Sequence, residues 1–320
     1  MASGLQAQIG YGEESTWGTR VAPTVFIPLI SEDIAHDREP LVAEGIIAGH
    51  SIPSTDQING GPVDVRGPIA HELYTSGIDI LLKHMFGSQT NTGSGPYTHV
   101  YKPTTGTIDG KGLTVQVGRP GVGGTVHPHD VAGGKIESWE IACSAGEIAT
   151  LGVDLVGKSM VVNQTLATAA YTAAGSKPFK FTHGAVSIGG STVNVMEATV
   201  SGNNGLKTDR RFIDSAAAGT IAEPLEASRR EYTGSFSGEF NDLTQYNRFV
   251  AGTEVALVLA FTAGAASLTI EGNIRFDGAG GRVGGSDILT EDLPFRFIRT
   301  TGGLAETAIK ITTVNAVATI

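Results

Sequence analysis

The sequence of 320 residues lacks several features that mark common protein classes. Its one cysteine, Cys143, excludes an intrachain disulfide and a multi-cysteine zinc site, and we expect a buried free thiol. Only 17% of residues are charged, and 22 basic against 32 acidic side chains leave a net charge of −10. This excess of acid argues against a protein that grips nucleic acid by its phosphates. The chain shows neither an apolar run of membrane-spanning length nor a secretion signal, so we expect no membrane contact.

Glycine is abundant, with 44 residues, and short runs of Val, Ile and Thr lie between the glycines. This mixture is typical of many short strands joined by turns. The predicted strands are Pro62–Gly67, Tyr97–Lys102, Leu113–Gly118, Lys135–Cys143, Glu147–Val156, Phe179–Phe181, Val193–Val200, Leu206–Phe212, Arg229–Phe240, Val255–Phe261, Leu268–Asp277 and Phe295–Arg299.

Two stretches have the apolar spacing of helices. The first runs from Pro68 to Phe86 and ends before Gly87, where a left-handed backbone suits glycine. The second runs from Asn241 to Ala251, and its residues Leu243, Tyr246 and Val250 share one face. We expect the second helix to cover the aromatic face of the strand that precedes it.

The segment Gly152–Ser159 matches the phosphate-loop pattern G-x-x-x-x-G-K-[ST]. A phosphate loop needs a buried strand before it and a helix after it, so that backbone N–H groups converge on the phosphates. Here the residues between the glycines alternate like a strand, and the sequence after Ser159 is a poor helix former. We therefore interpret the segment as a strand end and a turn, with a nucleotide-dependent enzyme as an alternative.

Other candidate sites carry weak signals. The glycine-rich segment Gly118–Gly124 favours a hairpin loop, and the four residues His127–Asp130 favour a polar loop over a metal site. Surface positions are expected for both histidines of the first helix and for two acidic pairs, which are His71, His84, Glu13–Glu14 and Glu291–Asp292. No catalytic set can be assembled from these residues, and neither a cofactor nor a metal is predicted.

The two halves of the chain repeat one order of elements. Leu41–Ser51 is followed by a loop, a strand, a helix and two strands, and Leu206–Ser215 is followed by the same order about 165–170 residues later. A chance recurrence of common β units is the alternative to a duplication. The predicted division is an N-terminal arm at 1–22, a first domain at 23–160, a linker at 161–178, a second domain at 179–300 and a C-terminal extension at 301–320.

Several short motifs resemble the tail tube (major tail) proteins of long-tailed bacteriophages. Ile9–Thr19 has the glycine-rich turn, the acidic pair and the aromatic-Gly-Thr that open many of those proteins. The resemblance spans roughly residues 9–300, and no match is evident for Thr301–Ile320. Its other segments are Pro23–Ser31, Val63–Gly67, Ile80–Gly87 and Arg230–Phe261.

The resemblance implies a mainly β fold, with two similar β-sandwich or barrel domains that each carry a flanking helix. It implies a structural virion protein, not an enzyme, made in the host bacterial cytoplasm and built into the tail. Such proteins form rings that stack into a tube around a tape-measure protein, meet tail terminator and distal tail proteins, and later conduct double-stranded DNA. Two domains per chain predict a trimeric ring with pseudo-six-fold symmetry. The alternative is another virion β protein, namely a tail terminator, baseplate or receptor-binding component.

The predicted strand Arg229–Phe240 separates an aromatic face from a small polar or acidic face. The aromatic face is expected in the core. The polar face needs water, and a DNA channel and the outer surface are the two wet places available. We favour the channel, because small hydroxyls and carboxylates offer DNA little to hold and the carboxylates repel its phosphates. The predicted channel-lining residues are Glu231, Thr233, Ser235, Ser237 and Glu239, with Asp64 and Arg66 as their first-half counterparts.

Overall fold

The computed structural model describes residues 4–104, 106, 108–171, 176–281, 288–299 and 308–318. The fold is mainly β, as expected, with two α-helices in the described residues. The first half contains β1 Gln8–Glu14, β2 Val25–Phe26, β3 Ser31–Glu32, β4 Ala35–Arg38, β5 Leu41–Val42, β6 Ile58–Asn59, β7 Val63–Glu72, α1 Asp79–Phe86, β8 Gly87–Thr92, β9 Tyr97–Pro103, β10 Gly112–Pro120, β11 Val126–Ser144, β12 Thr150–Gly157 and β13 Ser159–Val161.

The second half continues the order of elements along the chain. It contains β14 Gly184–Ile188, β15 Ser191–Val193, β16 Glu197–Asn203, β17 Leu206–Lys207, β18 Leu225–Glu226, β19 Glu231–Glu239, α2 Thr244–Ala251, β20 Val255–Ala263, β21 Ala266–Phe276, β22 Thr290–Ile298 and β23 Ile309–Asn315.

Eight antiparallel strands form a continuous sheet that passes from one half to the other. Their order is β4, β7, β12, β11, β16, β19, β22 and β21, so four strands come from each half. The halves meet where β11 pairs with β16, from Ser138 opposite Asn203 to Ser144 opposite Glu197. Alternate side chains of these strands enter the hydrophobic core, and the others face away from it.

The strand pairings of the first half recur in the second half. The equivalent pairs are β1–β2 and β14–β15, β1–β10 and β14–β20, β10–β11 and β20–β21, β11–β12 and β21–β22, β11–β13 and β21–β23, β7–β12 and β19–β22, β4–β7 and β16–β19, and β5–β6 and β17–β18. The β8–β9 hairpin belongs to the first half alone among the described residues. The division into two domains remains a proposal, and this recurrence supports it.

Both end segments of the chain enter the sheets. β1 lies between β2 and β10, within the segment predicted as an N-terminal arm. β23 lies between β9 of the first half and β21 of the second, within the segment for which the sequence showed no match. The two halves are therefore joined at β11–β16 and again through β23.

A buried carboxylate holds β23 in place. Asp79, which is 1% exposed, accepts hydrogen bonds from the Tyr101 hydroxyl at 2.8 Å, the Thr313 hydroxyl at 2.8 Å and the Asn315 amide at 3.0 Å. These three neutral donors compensate for the lost hydration of the carboxylate. The network connects α1, β9 and β23.

The first helix is shorter than predicted. Residues 68–72 belong to β7 and not to a helix, because Val65, Ile69 and His71 alternate toward the core. Helix α1 runs from Asp79 to Phe86, and the φ of 77° at the following Gly87 confirms the predicted left-handed cap.

The prediction for the face of the second helix is wrong. Leu243, Tyr246 and Val250 are 57%, 42% and 66% exposed, and no residue of α2 is fully buried. Phe249 is the partly buried side chain that contacts the core. The apolar stripe read from the sequence therefore faces away from the rest of the chain.

Four residues predicted on the surface are buried. His71 faces the core from β7, and His84 lies on the buried side of α1. Glu14 and Glu291 each belong to a strand, where adjacent side chains point to opposite faces, so only one member of each acidic pair reaches solvent. Glu14 accepts hydrogen bonds from Gly18 N at 2.7 Å and Gly133 N at 2.8 Å.

Three other stretches differ in detail from the predictions. Phe181 begins a 3₁₀ turn, Phe181–His183, and is not part of a strand. Only Leu206–Lys207 of the predicted strand Leu206–Phe212 pairs. In the predicted linker, the Ala167 carbonyl accepts from the Gln8 amide at 2.7 Å, so this segment lies along the first half.

The buried His71 predicts acid sensitivity. Burial lowers the pKa of His71 to about 4, although its hydrogen bond to the Pro28 carbonyl acts in the opposite direction. Because the unfolded chain binds this proton near pH 6.5, stability is fully present above that pH and falls as the pH drops toward 4. Each unit by which the pKa in the folded state lies below that in the unfolded state contributes about 1.4 kcal/mol to the free energy of unfolding at neutral pH.

Thermal unfolding measured from pH 7.5 to 5 tests this expectation. The Tm should fall through the window below pH 6.5. A His71→Gln variant should have a lower Tm at pH 7.5, and its Tm should depend less on pH than that of the wild type. Some pH dependence should remain, because burial also lowers the pKa of His84. A variant with the full wild-type slope would contradict the role of His71.

Candidate functional site

A continuous polar face covers the eight-stranded sheet on the side away from the core. Glu231, Thr233, Ser235, Ser237 and Glu239 lie on this face of β19, and none of them is buried. The adjacent strand β16 places Asn203, Ser201, Thr199 and Glu197 opposite Glu231, Thr233, Ser235 and Ser237. The Ser201 and Thr233 hydroxyls hydrogen-bond across the two strands at 3.0 Å. The sequence predicted this split for one strand, and the structure extends it across the sheet.

The polar face is rich in carboxylates. Asp64 and Arg66, the predicted first-half residues, lie on the same face of β7. Ten acidic residues and three arginines belong to the face: Asp37, Asp64, Glu72, Glu137, Glu140, Asp154, Glu197, Glu231, Glu239 and Asp292, with Arg66, Arg275 and Arg296. Acids therefore exceed bases by seven, from ten minus three, on this face.

Two of the three arginines are paired with nearby aspartates. Arg66 lies 2.6 Å from Asp64, and the ion pair raises the pKa of the Arg66 guanidinium. Arg296 lies 2.8 Å from Asp277. These exposed pairs contribute little to stability, but they reduce the positive charge that the face presents.

The acids of the face also affect one another. Partial burial raises the pKa of Glu137, Arg66 acts in the opposite direction, and the negative charges of Asp154 and Asp64 raise it further. Glu137 lies at a β-bulge where β11 shifts register against β12. The carboxylates are thus near enough to create a shared negative potential.

Aromatic residues fill the opposite face of the same strands. Tyr232 and Phe236 are buried, and Phe236 stacks on Phe295 of β22 with ring centroids 4.8 Å apart. Gly202 makes room for Trp139, since a Cβ at this position would lie 2.5 Å from the indole. This packing holds β16, β19 and β22 in one register and so fixes which side chains form the polar face.

The polar face is concave where the two halves meet. An open depression of about 440 Å³ spans β7, β12, β11, β16 and β19. Pro68, Glu140, Asp154, Asn203 and Thr233 are among the residues that line it. A curved, acidic and water-accessible surface of this kind repels polyanions and offers them few donors to hold.

The segment Gly152–Ser159, which matches the phosphate-loop pattern, forms the end of a strand and a bend, as predicted. β12 runs through Gly157, Lys158 lies in a bend, and β13 begins at Ser159, so no helix follows. The Lys158 ammonium lies 5.3 Å from the centre of the Trp17 ring. The backbone N–H groups of this strand bond to neighbouring strands, which leaves no cradle for phosphates.

The remaining candidates do not assemble into a chemical site. His127 and His129 belong to strand β11, so the predicted loop at this position is wrong. Within the described ranges, no three His, Cys, Asp or Glu side chains are grouped so that they could hold a metal ion. Cys143 is half-buried and not fully buried, burial raises the pKa of its thiol, and it borders an open cleft of about 240 Å³.

Comparison with known protein families identifies the chain. The family model for phage tail tube proteins matches residues 4–297. The chain belongs to the phage tail tube protein family. No curated protein matches the chain. Among the described helices, none is long and apolar enough to cross a membrane.

Family membership gives the chain a structural role in a phage tail. The match ends at residue 297, so β23 lies beyond it. The mainly β architecture and the family agree with the resemblance seen in the sequence motifs.

The structure of the phosphate-loop string gives a direct test. Lys158→Ala should fold normally, with a loss of about 0.5–1 kcal/mol from the contact with Trp17. Calorimetry with magnesium-ATP should show no binding to wild type or variant. Micromolar binding by wild type that disappears in the variant would contradict this interpretation.

Proposed function

We propose that this tail tube protein closes with two other copies into a ring, and that rings stack into the conduit through which double-stranded DNA leaves the phage. The tape-measure protein occupies the tube during assembly, and tail terminator and distal tail proteins meet its ends. The observation that carries the proposal is the eight-stranded sheet with its concave acidic face.

Strand count supports three copies. Neighbouring strands lie about 4.8 Å apart and tilt by about 40° in a closed barrel, so eight strands closed on themselves give a barrel roughly 16 Å across, which side chains would fill. Three chains of eight strands give 24 strands and roughly 48 Å between backbones, and six chains give roughly 96 Å. Three copies leave an aqueous channel after side chains are placed, and they place six repeated units around the ring.

Charge supports the assignment of the polar face to the channel. A face on which ten acids oppose three arginines repels DNA phosphates at short range. Screening limits this repulsion to about 8–10 Å at physiological salt, so only residues on the wall affect the passing duplex. Arg66 fits such a wall because Asp64 pairs with it.

The symmetry of assembled tubes tests the copy number. Cryo-electron microscopy of tubes formed by the purified protein should show three chains per ring and a pseudo-six-fold arrangement of β units. Six chains per ring would overturn the trimer. Failure of the native protein to form any ring or tube would contradict the assembly role itself.

A charge reversal tests the channel wall. Glu231→Lys combined with Glu239→Lys should allow tube assembly, because both side chains are exposed, and should slow or block DNA ejection. The control is Asp109→Lys with Glu147→Lys, which makes the same charge change at exposed positions off the polar face. Normal ejection by the first variant, or a tube structure with these side chains outside, would refute the assignment.

A further inference from the structure

Two loop arms occupy equivalent places in the repeated halves. The first arm, residues 39–60, connects β4 to β7, and the second arm, residues 204–228, leads from β16 toward β19. Each arm begins with a short hairpin, in which Val42 pairs with Ile58 and Lys207 pairs with Leu225. This register makes Leu41 equivalent to Leu206, and Ile58 equivalent to Leu225.

Equivalent apolar residues differ in exposure between the arms. Leu206 is 8% exposed, whereas Leu41 is 59% exposed. Leu225 is partly buried, whereas Ile58 is 48% exposed. Beyond the hairpins, Ile221 of the second arm is 2% exposed and Ile52 of the first arm is 79% exposed. Burial of aliphatic side chains stabilises a folded protein, so the first arm leaves apolar surface uncovered in the single chain.

The hairpin of the second arm and its returning segment, residues 219–226, lie on the first half of the same chain, whereas Phe212 and Ile213 at the tip of the arm are exposed. The Gly219 carbonyl accepts from Val63 N at 2.9 Å. Glu223 accepts from Gly110 N at 2.6 Å, and the buried Lys135 ammonium lies 2.7 Å from the same carboxylate. The arm therefore covers the start of β7, the loop before β10 and the middle of β11.

The first arm shows a different set of contacts. Its hairpin bonds run within the arm, from Ala43 N to the Gln57 carbonyl at 2.7 Å and from the Gln57 amide to the Gly45 carbonyl at 2.7 Å. Ile46, which is 97% exposed, points away from the chain. The arm is folded, but its apolar side chains lack the cover that the second arm receives.

We infer that the first arm of one copy lies on the second half of the neighbouring copy in the ring, in the position that the second arm takes on the first half. This inference rests on the proposed ring. The surface it needs is present: the segment before β20, residues 252–254, is exposed and matches the loop before β10. The exposed stripe of α2, with Val250 near its end, borders that segment.

The contact is apolar in character. In the second arm the contact includes the ion pair of Glu223 with the buried Lys135. The large exposed side chains of the first arm are aliphatic, among them Leu41, Ile46 and Ile52, so apolar contacts should dominate its interface with the neighbouring copy. Three such contacts per ring join the copies, while the same contact within each chain joins its halves.

A matched pair of substitutions separates assembly from folding. Leu41→Asp should leave the Tm of the unassembled chain within about 2 °C of wild type, because Leu41 is exposed, and should abolish rings and tubes. Leu206→Asp at the equivalent buried position should lower the Tm by roughly 5 °C or more. Normal tube formation by Leu41→Asp would overturn the inference.

Cross-linking identifies the neighbour. In a Cys143→Ser background, Asp56→Cys occupies the position that the hairpin register matches to Glu223. Thr253→Cys lies in the segment before β20, as Gly110, which donates its N–H to Glu223, lies in the segment before β10. Wild-type tubes establish that rings form, and tubes of the double-cysteine variant are then treated with a short bis-maleimide. If the cross-links form within a three-fold ring, the largest covalent product should contain three chains.

The alternative outcomes are distinct. A ladder extending beyond three chains would place the arm between stacked rings and overturn the inference. Tubes without cross-linked product would also overturn it, while leaving the tube function intact. The control pair is Asp56→Cys with Ala265→Cys, and Ala265 lies at the far end of the β20–β21 hairpin. This pair should give no cross-linked product, because the nine residues of β20 separate Ala265 from Thr253 by roughly 30 Å. Equal product from the control pair would contradict the proposed position.

Discussion

The pairing of β11 with β16 is the constraint on which the rest of the structure depends. It runs from Ser138–Asn203 to Ser144–Glu197 and turns two repeated sets of strands into one sheet. Because side chains alternate in every strand, this register decides that all eight strands present polar residues on one face and apolar residues on the other. The acidic surface, the aromatic core and the two open ends of the sheet follow from it.

Much of this organisation could be predicted from local patterns. The alternation in Arg229–Phe240 identified β19 and both of its faces, and the strand-like residues after Gly152 identified the phosphate-loop string as part of β12. Gly87 and Gly252 both end their helices with positive φ angles, which glycine tolerates without strain. These features depend on neighbours in sequence, so short windows contain the necessary information.

Local patterns mispredict the positions whose burial is decided by segments distant in sequence. The helical spacing of its neighbours predicts His71 on the surface of a helix, yet pairing of β7 with β12 and β3 places His71 in a strand, where its side chain faces the core. The stripe of α2 has the amphipathic pattern of a packed helix, but the β8–β9 hairpin that lies over α1 has no described counterpart in the second half. The sequence patterns of the two helices are alike, and only tertiary context separates them. Local patterns do not predict the burial of Glu14 either, because one of its donors, Gly133 N, is distant in sequence.

Asp79 has a consequence for how the halves find their alignment. Its donors on β23, Thr313 and Asn315, are two residues apart and therefore lie on one face of the strand. A slip of β23 by one residue would turn both donors away and leave a buried carboxylate with only Tyr101 as a donor. Aliphatic contacts alone tolerate such slips better than a polar network does. The Asp79 carboxylate therefore favours the observed register of β23 over slipped pairings with β9 and β21. The alignment of the two halves at β23 thus depends on one buried polar network.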